Sequence, residues 1–203
     1  MANTNQIAVI GCGSWGSTIA WLLHSAGHEV RLWAHSEEAK NDLLQMGHPP
    51  GVPELTLAEI PVTTSLQEAT EDAAGAVLVV KSQLIGKMAK ALAELSSAPP
   101  ITVIASKGID LERLRPLSAV AEEELSGRST VAAISGPCIA REVAQGIPTS
   151  VVAACPVEEI SHTVQRWFST RFFRVYRQDD LLGVELGGAL KNVIAIAAGV
   201  SDG

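Results

Sequence analysis

The stretch Ile7-Ala8-Val9-Ile10, Gly11-Cys12-Gly13-Ser14-Trp15-Gly16, Ser17 to Ala26 decides how the rest of the chain is read. Its first part is a short β-branched run of buried-strand type. Its last part carries Ile19, Leu22, Leu23 and Ala26 at helical spacing,. Between them lies G-x-G-x-x-G. Alone that hexapeptide is a weak signal, but between a strand and a helix near the N-terminus it reads as a dinucleotide cradle. Gly11 permits the tight turn, Gly13 lets a diphosphate approach the backbone, and Gly16 lets the helix lie close on the strand. The free N–H groups of the first helical turn, around Ser14 and Trp15, then face the anion. The competing reading is an ordinary glycine-rich turn.

Composition narrows the class. The 203 residues suit one α/β domain, or one domain with part of a second,. The apolar share of 47% supplies a core, and the formal charge of −7 argues against bulk binding to nucleic acid or anionic membranes,. An anionic ligand must therefore be held by local cations and backbone dipoles. Cys12, Cys138 and Cys155 lack metal-type spacing and cannot all pair, which suits a reducing compartment and a cytoplasmic location,. No metal site is expected. The start lacks the pattern of a secretory signal. Leu181 to Val200 is long and apolar, but Glu185 and Lys191 speak against a membrane span,.

Short apolar strands then alternate with helices, which predicts a mostly parallel sheet. Strands are expected at 29–33, 62–64, 76–80, 101–105, 131–134, 149–154 and 172–176. Helices are expected at 37–46, 66–70, 83–95, 114–125, 157–168 and 181–200. In such sheets ligands gather at the carboxyl ends of the strands. After the second strand, Ala34, His35 and Ser36 stand where a carboxylate would favour NAD over NADP, so NADPH is expected to be accepted. His35 can equally be a solvent-facing loop residue. The irregular segment Gly47 to Pro53 is a lid or, more simply, a surface connection. Lys81 follows one strand end and reads first as a surface lysine, with cofactor contact as the alternative. Lys107, in Ser106-Lys107-Gly108, follows another strand end and can bind a phosphate or polarise a carbonyl. Pro137 suits the first position of a helix, which would free the N–H groups of Cys138 and Ile139 for an anion. Cys138 is assigned to packing or hydrogen bonding, since nothing else supports covalent catalysis.

Lys191 is the only ionisable residue between Leu186 and Ser201. Val184, Gly187, Gly188, Lys191, Ala195 and Ala198 share roughly one helical face. A lysine among small apolar side chains is poorly solvated, so its pKa is expected to fall towards the range of a general acid or base. The alternative is snorkelling to water.

The chain resembles the soluble NAD(P)-dependent glycerol-3-phosphate dehydrogenases of bacteria. The matching pieces are Gly11 to Gly16 with its Ser14-Trp15, Leu32-Trp33, Ser106-Lys107-Gly108, Ser135-Gly136-Pro137, Gly146-Ile147-Pro148-Thr149, and the long run Gly183 to Asn192. The resemblance implies a Rossmann-type, doubly wound α/β domain over 1–178, followed from 179 by the first helix of a truncated all-helical C-terminal domain. It implies an oxidoreductase that reduces dihydroxyacetone phosphate to sn-glycerol 3-phosphate with NADPH or NADH, feeding phospholipid synthesis. Lys191 would be the proton donor and acceptor, with Lys107 beside it and Asn192 in support. Gly11, Gly13, Ser14, Trp15, Gly16, His35, Lys107 and Ala140 would meet the cofactor. Lys107, Gly136, Cys138 and Lys191 would meet the substrate.

Three positions depart from the family pattern. Cys138 stands for a usual serine, His35 for a common arginine, and Lys81 for a small residue or proline. A small-molecule phosphate is the expected partner, and a homodimer is open. The competing functions are a dinucleotide-binding module without catalysis, and a related hydroxyacid or 2-oxoacid reductase.

Overall fold

The computed structural model describes residues 6–203, so the first five residues of the expected 1–178 unit lie outside it. In chain order the elements are β1 (Gln6–Ile10), α1 (Ser14–Ser25), β2 (Glu29–Trp33), α2 (Glu37–Met46), β3 (Val62–Thr63), α3 (Leu66–Thr70) and β4 (Gly75–Leu78). A 3-10 turn, Ser82–Leu84, leads into α4 (Ile85–Ala93). Then come β5 (Ile101–Ile104), the small hairpin strands β6 (Ile109–Asp110) and β7 (Arg115–Pro116), and α5 (Leu117–Leu125). The chain continues with β8 (Thr130–Ser135), α6 (Ala140–Ala144), β9 (Thr149–Ala154), α7 (Glu158–Phe168), β10 (Phe173–Gln178) and α8 (Leu181–Asp202).

The main sheet has the order β10-β9-β8-β5-β4-β1-β2-β3. Its six strands from β3 to β8 are mutually parallel. Strand β9 then pairs antiparallel with β8, and β10 runs parallel to β9. The strand order reverses between β1 and β4, which is where ligands bind in open α/β sheets. The mostly parallel, doubly wound sheet matches the sequence expectation.

Strand alternation divides the core into two layers. Ile7, Val9, Val77, Val103 and Ala132 face Ile19, Leu22 and Leu23 of α1 and Val164, Trp167 and Phe168 of α7. Ala8, Ile10, Leu78, Ile104 and Ala133 face Ile85, Met88 and Leu92 of α4 and Leu117, Ala121 and Leu125 of α5. Each fully buried large side chain contributes about 1.5–3 kcal/mol, so covering both faces is what stabilises a sheet this apolar.

Three local expectations are corrected. The helix expected from Leu114 starts at Leu117, because Leu114 has φ +51° and Pro116 caps the helix from outside. Pro137 does not open a helix, since α6 begins at Ala140. The segment Gly47 to Pro53 is not a mere surface connection: Pro49 and Val52 are buried, and just beyond it Leu55 is buried while Leu57 and Ile60 join the core.

Helix α8 is the outlier. Leu181 and Glu185 are buried, while every residue from 190 onwards is exposed. By length and composition alone this helix could cross a membrane. Its first turns, however, are tied to the sheet domain through Glu185. One carboxylate oxygen accepts from the Ser118 backbone N–H at 2.9 Å, and the other accepts from the Ser118 hydroxyl. A carboxylate from α8 thereby caps the N-terminus of α5, which has no side-chain cap of its own, where the free N–H groups and helix dipole favour an anion,.

Burial nevertheless raises the Glu185 pKa above its ordinary 4.5, outweighing the Ser118 hydrogen bonds. A carboxyl raised on folding contributes stability in acid that is lost as pH climbs from the unfolded value through the folded one. Glu185→Gln keeps the shape and removes that loss. In urea denaturation, the stability of the glutamine variant relative to the parent should therefore rise as pH climbs above about 4.5,. A difference that is flat with pH would show that Glu185 is not the titrating group.

Candidate active site

The first wall of the site is the glycine loop. Gly11 has φ +125°, and a Cβ there would overlap the Val79 carbonyl oxygen at the end of β4. A Cβ on Gly16 would overlap the Gly11 carbonyl oxygen. These two contacts press α1 onto the ends of β1 and β4. Gly13 precedes α1 as its N-cap residue, has nothing within 4 Å of its Cβ position, and is exposed. The loop is therefore closed on the protein side and open on the ligand side, as a backbone diphosphate cradle must be.

Two cavities flank this loop. One, of about 570 Å³, lies on the β2 side and is walled by Gly11, Gly13, Trp33, His35, Leu43, Met46, Pro50, Lys81, Leu84 and Met88 among others. Its lining is apolar for the most part, which suits a flat heterocycle. The other, of about 420 Å³, lies on the β5 side and is walled by Trp15, Val79, Val80, Lys81, Ala105, Ser106, Lys107, Cys138 and Ala140. Four residues singled out from the sequence, Trp15, Lys107, Cys138 and Ala140, thus meet in one cavity.

Lys107 leaves the carboxyl end of β5 and is partly buried. Its Nζ donates to the Gly136 carbonyl at 2.9 Å and lies 3.5 Å from Cys138 Sγ. The Gly136–Cys138 segment follows β8, so the ammonium bridges two adjacent strand ends. Ser106 Oγ donates to the Val80 carbonyl at 2.5 Å and ties β5 to the end of β4. Contrary to the sequence expectation, the Cys138 N–H is not free: it donates to the Gly136 carbonyl at 2.9 Å in a tight turn,. Helix α6 has only five residues and begins beyond that turn, so no second helical anion site forms there. On the other side of the glycine loop, burial pushes the Cys12 thiol pKa up, which keeps it a neutral wall residue.

His35 is exposed at the rim of the β2-side cavity. Beside it Ser36 caps α2 by accepting from Ala39 N–H at 3.1 Å. Glu37 is drawn away by the Thr64 hydroxyl and by Lys40 at 3.8 Å. Ser14 donates its hydroxyl to the Pro50 carbonyl, which ties the start of α1 to the segment after α2. The segment after α2 thereby reaches the site. It is also clasped to α6 by the Arg141–Glu54 ion pair at 3.0 Å.

Lys191 and Asn192 line neither cavity. Both are exposed, and Lys191 Nζ donates to Asn192 Oδ1 at 2.8 Å. The apolar enclosure expected around Lys191 is therefore missing, because every residue of α8 from 190 onwards is exposed. Its approach to the site is nevertheless visible at Gly188. A Cβ there would lie 2.5 Å from Ser135 Oγ and 3.8 Å from Lys107 Cγ. Lys191 lies three residues on, on the same helical face.

Sequence reasoning missed the contributions of α2 and of the segment after it. Leu43 and Met46 recur at a spacing that reads equally well as core, and Pro50 sits in a segment with no periodicity. Among the described residues, no group of three His, Cys, Asp or Glu side chains is placed to hold a metal ion.

Residues 6–161 match the family model for the NAD-dependent glycerol-3-phosphate dehydrogenase N-terminus, and residues 180–203 match the model for its C-terminus. The chain belongs to this family. It is 44% identical to the glycerol-3-phosphate dehydrogenase [NAD(P)+] of Syntrophotalea carbinolica, over 98% of this chain and 61% of that protein. It is likewise 44% identical to the enzyme of that name from Citrifermentans bemidjiense, over 98% of this chain and 60% of the relative. The crystal structure of glycerol-3-phosphate dehydrogenase from Coxiella burnetii superposes with a TM-score of 0.88 at 32% identity, covering 98% of this chain and 61% of that one. The chain thus spans about three fifths of the length of these relatives.

The Gly16 contact is the sharpest constraint within this dehydrogenase-family site. Gly16→Ala forces α1 away from the end of β1 and should destabilise the fold by about 1–3 kcal/mol. A urea unfolding midpoint equal to the parent's would contradict the close approach.

Proposed function

We propose that this chain forms the dinucleotide-binding part of an oxidoreductase that reduces dihydroxyacetone phosphate to sn-glycerol 3-phosphate with NADPH or NADH. The carrying observation is the pair of cavities joined across a glycine loop that has no room for side chains at Gly11 and Gly16 and is open at Gly13. That shape fits an extended dinucleotide, adenosine towards His35 and nicotinamide towards Lys107. The relatives' name, glycerol-3-phosphate dehydrogenase [NAD(P)+], covers both cofactors. We take 1–178 as the dinucleotide unit and 179–203, which carries α8, as the start of a substrate unit. The three free cysteines support a cytoplasmic location,.

A reduced nicotinamide bound at the β5-side cavity supplies the hydride. The chain's own residues handle the charge that results. Lys107, fixed by the Gly136 carbonyl, offers a cation at the carbonyl oxygen and the phosphate of the substrate,. Lys191 holds a proton at Nζ and delivers it to the C2 oxygen, so that ketone, hydride and proton together give the alcohol. Asn192 accepts from Lys191 Nζ and restricts where that ammonium points. Cys138 and Gly136 shape the floor beneath the substrate. In the 203-residue chain Lys191 is in solvent, which favours a cofactor-binding module over an efficient enzyme for this chain by itself.

The test joins this chain after Gly203 to the remaining residues of the Syntrophotalea carbinolica relative and follows NADPH oxidation with dihydroxyacetone phosphate. Lys191→Ala should lower kcat by about 10²–10⁴-fold while leaving cofactor affinity unchanged. An unchanged rate would remove Lys191 as acid and base. His35→Ala should weaken NADPH more than NADH, and an equal effect on both would remove His35 from recognition of the 2′-phosphate.

A further inference from the structure

On the reading that a dinucleotide fills this groove, we propose that Lys81 is a cofactor-binding residue that grips the diphosphate. Lys81 follows the end of β4, at the point where the strand order reverses. It is the one charged residue that lines both cavities. A molecule with its adenosine in the β2-side cavity and its nicotinamide in the β5-side cavity crosses between them at the glycine loop. Its diphosphate then lies at the shared wall formed by Val79, Val80 and Lys81.

The surrounding groups leave this task to Lys81. Of the lysines and arginines, only Lys81 lines the β2-side cavity, and only Lys81 and Lys107 line the β5-side cavity. The Lys107 ammonium, held on the β5 side by the Gly136 carbonyl, is assigned to the substrate. The Ser14 hydroxyl is committed to the Pro50 carbonyl. The backbone N–H groups around Gly13 supply partial charges only, in a chain whose formal charge is −7,. Asp42 also lines the β2-side cavity, but among the described residues no carboxylate lies within ion-pair distance of Lys81. Lys81 is exposed at the lip of the groove, and its side chain is free to fold onto an anion.

The groove lies wholly within this chain, so calorimetric titration of the 203-residue protein with NADH and with NADPH tests the assignment. Lys81→Met should weaken both cofactors equally, by about tenfold, and reduce the salt dependence of binding. Lys81→Arg should restore most of the affinity, and adenosine, which lacks the diphosphate, should bind parent and variant alike. Circular dichroism melting shows whether the variants keep the fold, which the exposure of Lys81 leads us to expect. Unchanged affinity in folded Lys81→Met would overturn the assignment. So would a loss confined to NADPH, which would place Lys81 at the 2′-phosphate instead. Failure of the parent chain to bind either cofactor would overturn the dinucleotide reading itself, and the Lys81 assignment with it.

Discussion

Helix α1 approaches the ends of β1 and β4 so closely that neither Gly11 nor Gly16 has room for a side chain. That contact fixes the position of the helix N-terminus over the point where the strand order reverses. Everything placed around the groove follows from it. With α1 seated there, Trp15 faces the β5-side cavity, Gly13 opens to the ligand, and the end of β4 presents Val79 to Lys81 along the seam. The parallel strands then bring Lys107, and beyond it Gly136 and Cys138, to the same edge of the sheet.

A second set of contacts aims α8 at that edge. Glu185 caps α5, and Gly188 lets the helix pass against Ser135 and Lys107. The cost of burying a carboxylate is accepted at the one place that sets the helix direction, and the hydrogen bonds from Ser118 compensate it only in part,. Lys191 thereby sits one turn beyond the contact with Lys107. The exposed apolar side chains that follow, Val193, Ile194, Ile196 and Val200, lie within the stretch that matches the C-terminal family model.

The glycine loop and the sheet were legible in the sequence because their signals are local. A strand, G-x-G-x-x-G and an apolar helix occupy consecutive residues, and the rule that ligands gather at carboxyl strand ends then locates Lys107. What escaped depended on partners distant in the chain. The capping of α5 by Glu185 joins residues 67 positions apart. The segment after α2 is held by Val52, Leu55, Leu57 and Ile60, whose spacing follows neither a helix nor a strand. The expected helix start at Pro137 gave way to a turn closed by Cys138 N–H on the Gly136 carbonyl. The surroundings of Lys191 depend on what packs against α8, which periodicity does not report.

The central claim is that one dinucleotide spans both cavities across the glycine loop. The most direct measurement is amide chemical-shift mapping of the ¹⁵N-labelled chain as NADH is added. The account predicts perturbations at Gly13, Ser14 and Trp15 together with Val80, Lys81, His35 and Lys107, all saturating with one affinity. Perturbations confined to one cavity, or centred on the separate polar cleft around Ser150, Thr170 and Arg174 at the amino ends of β9 and β10, would contradict it.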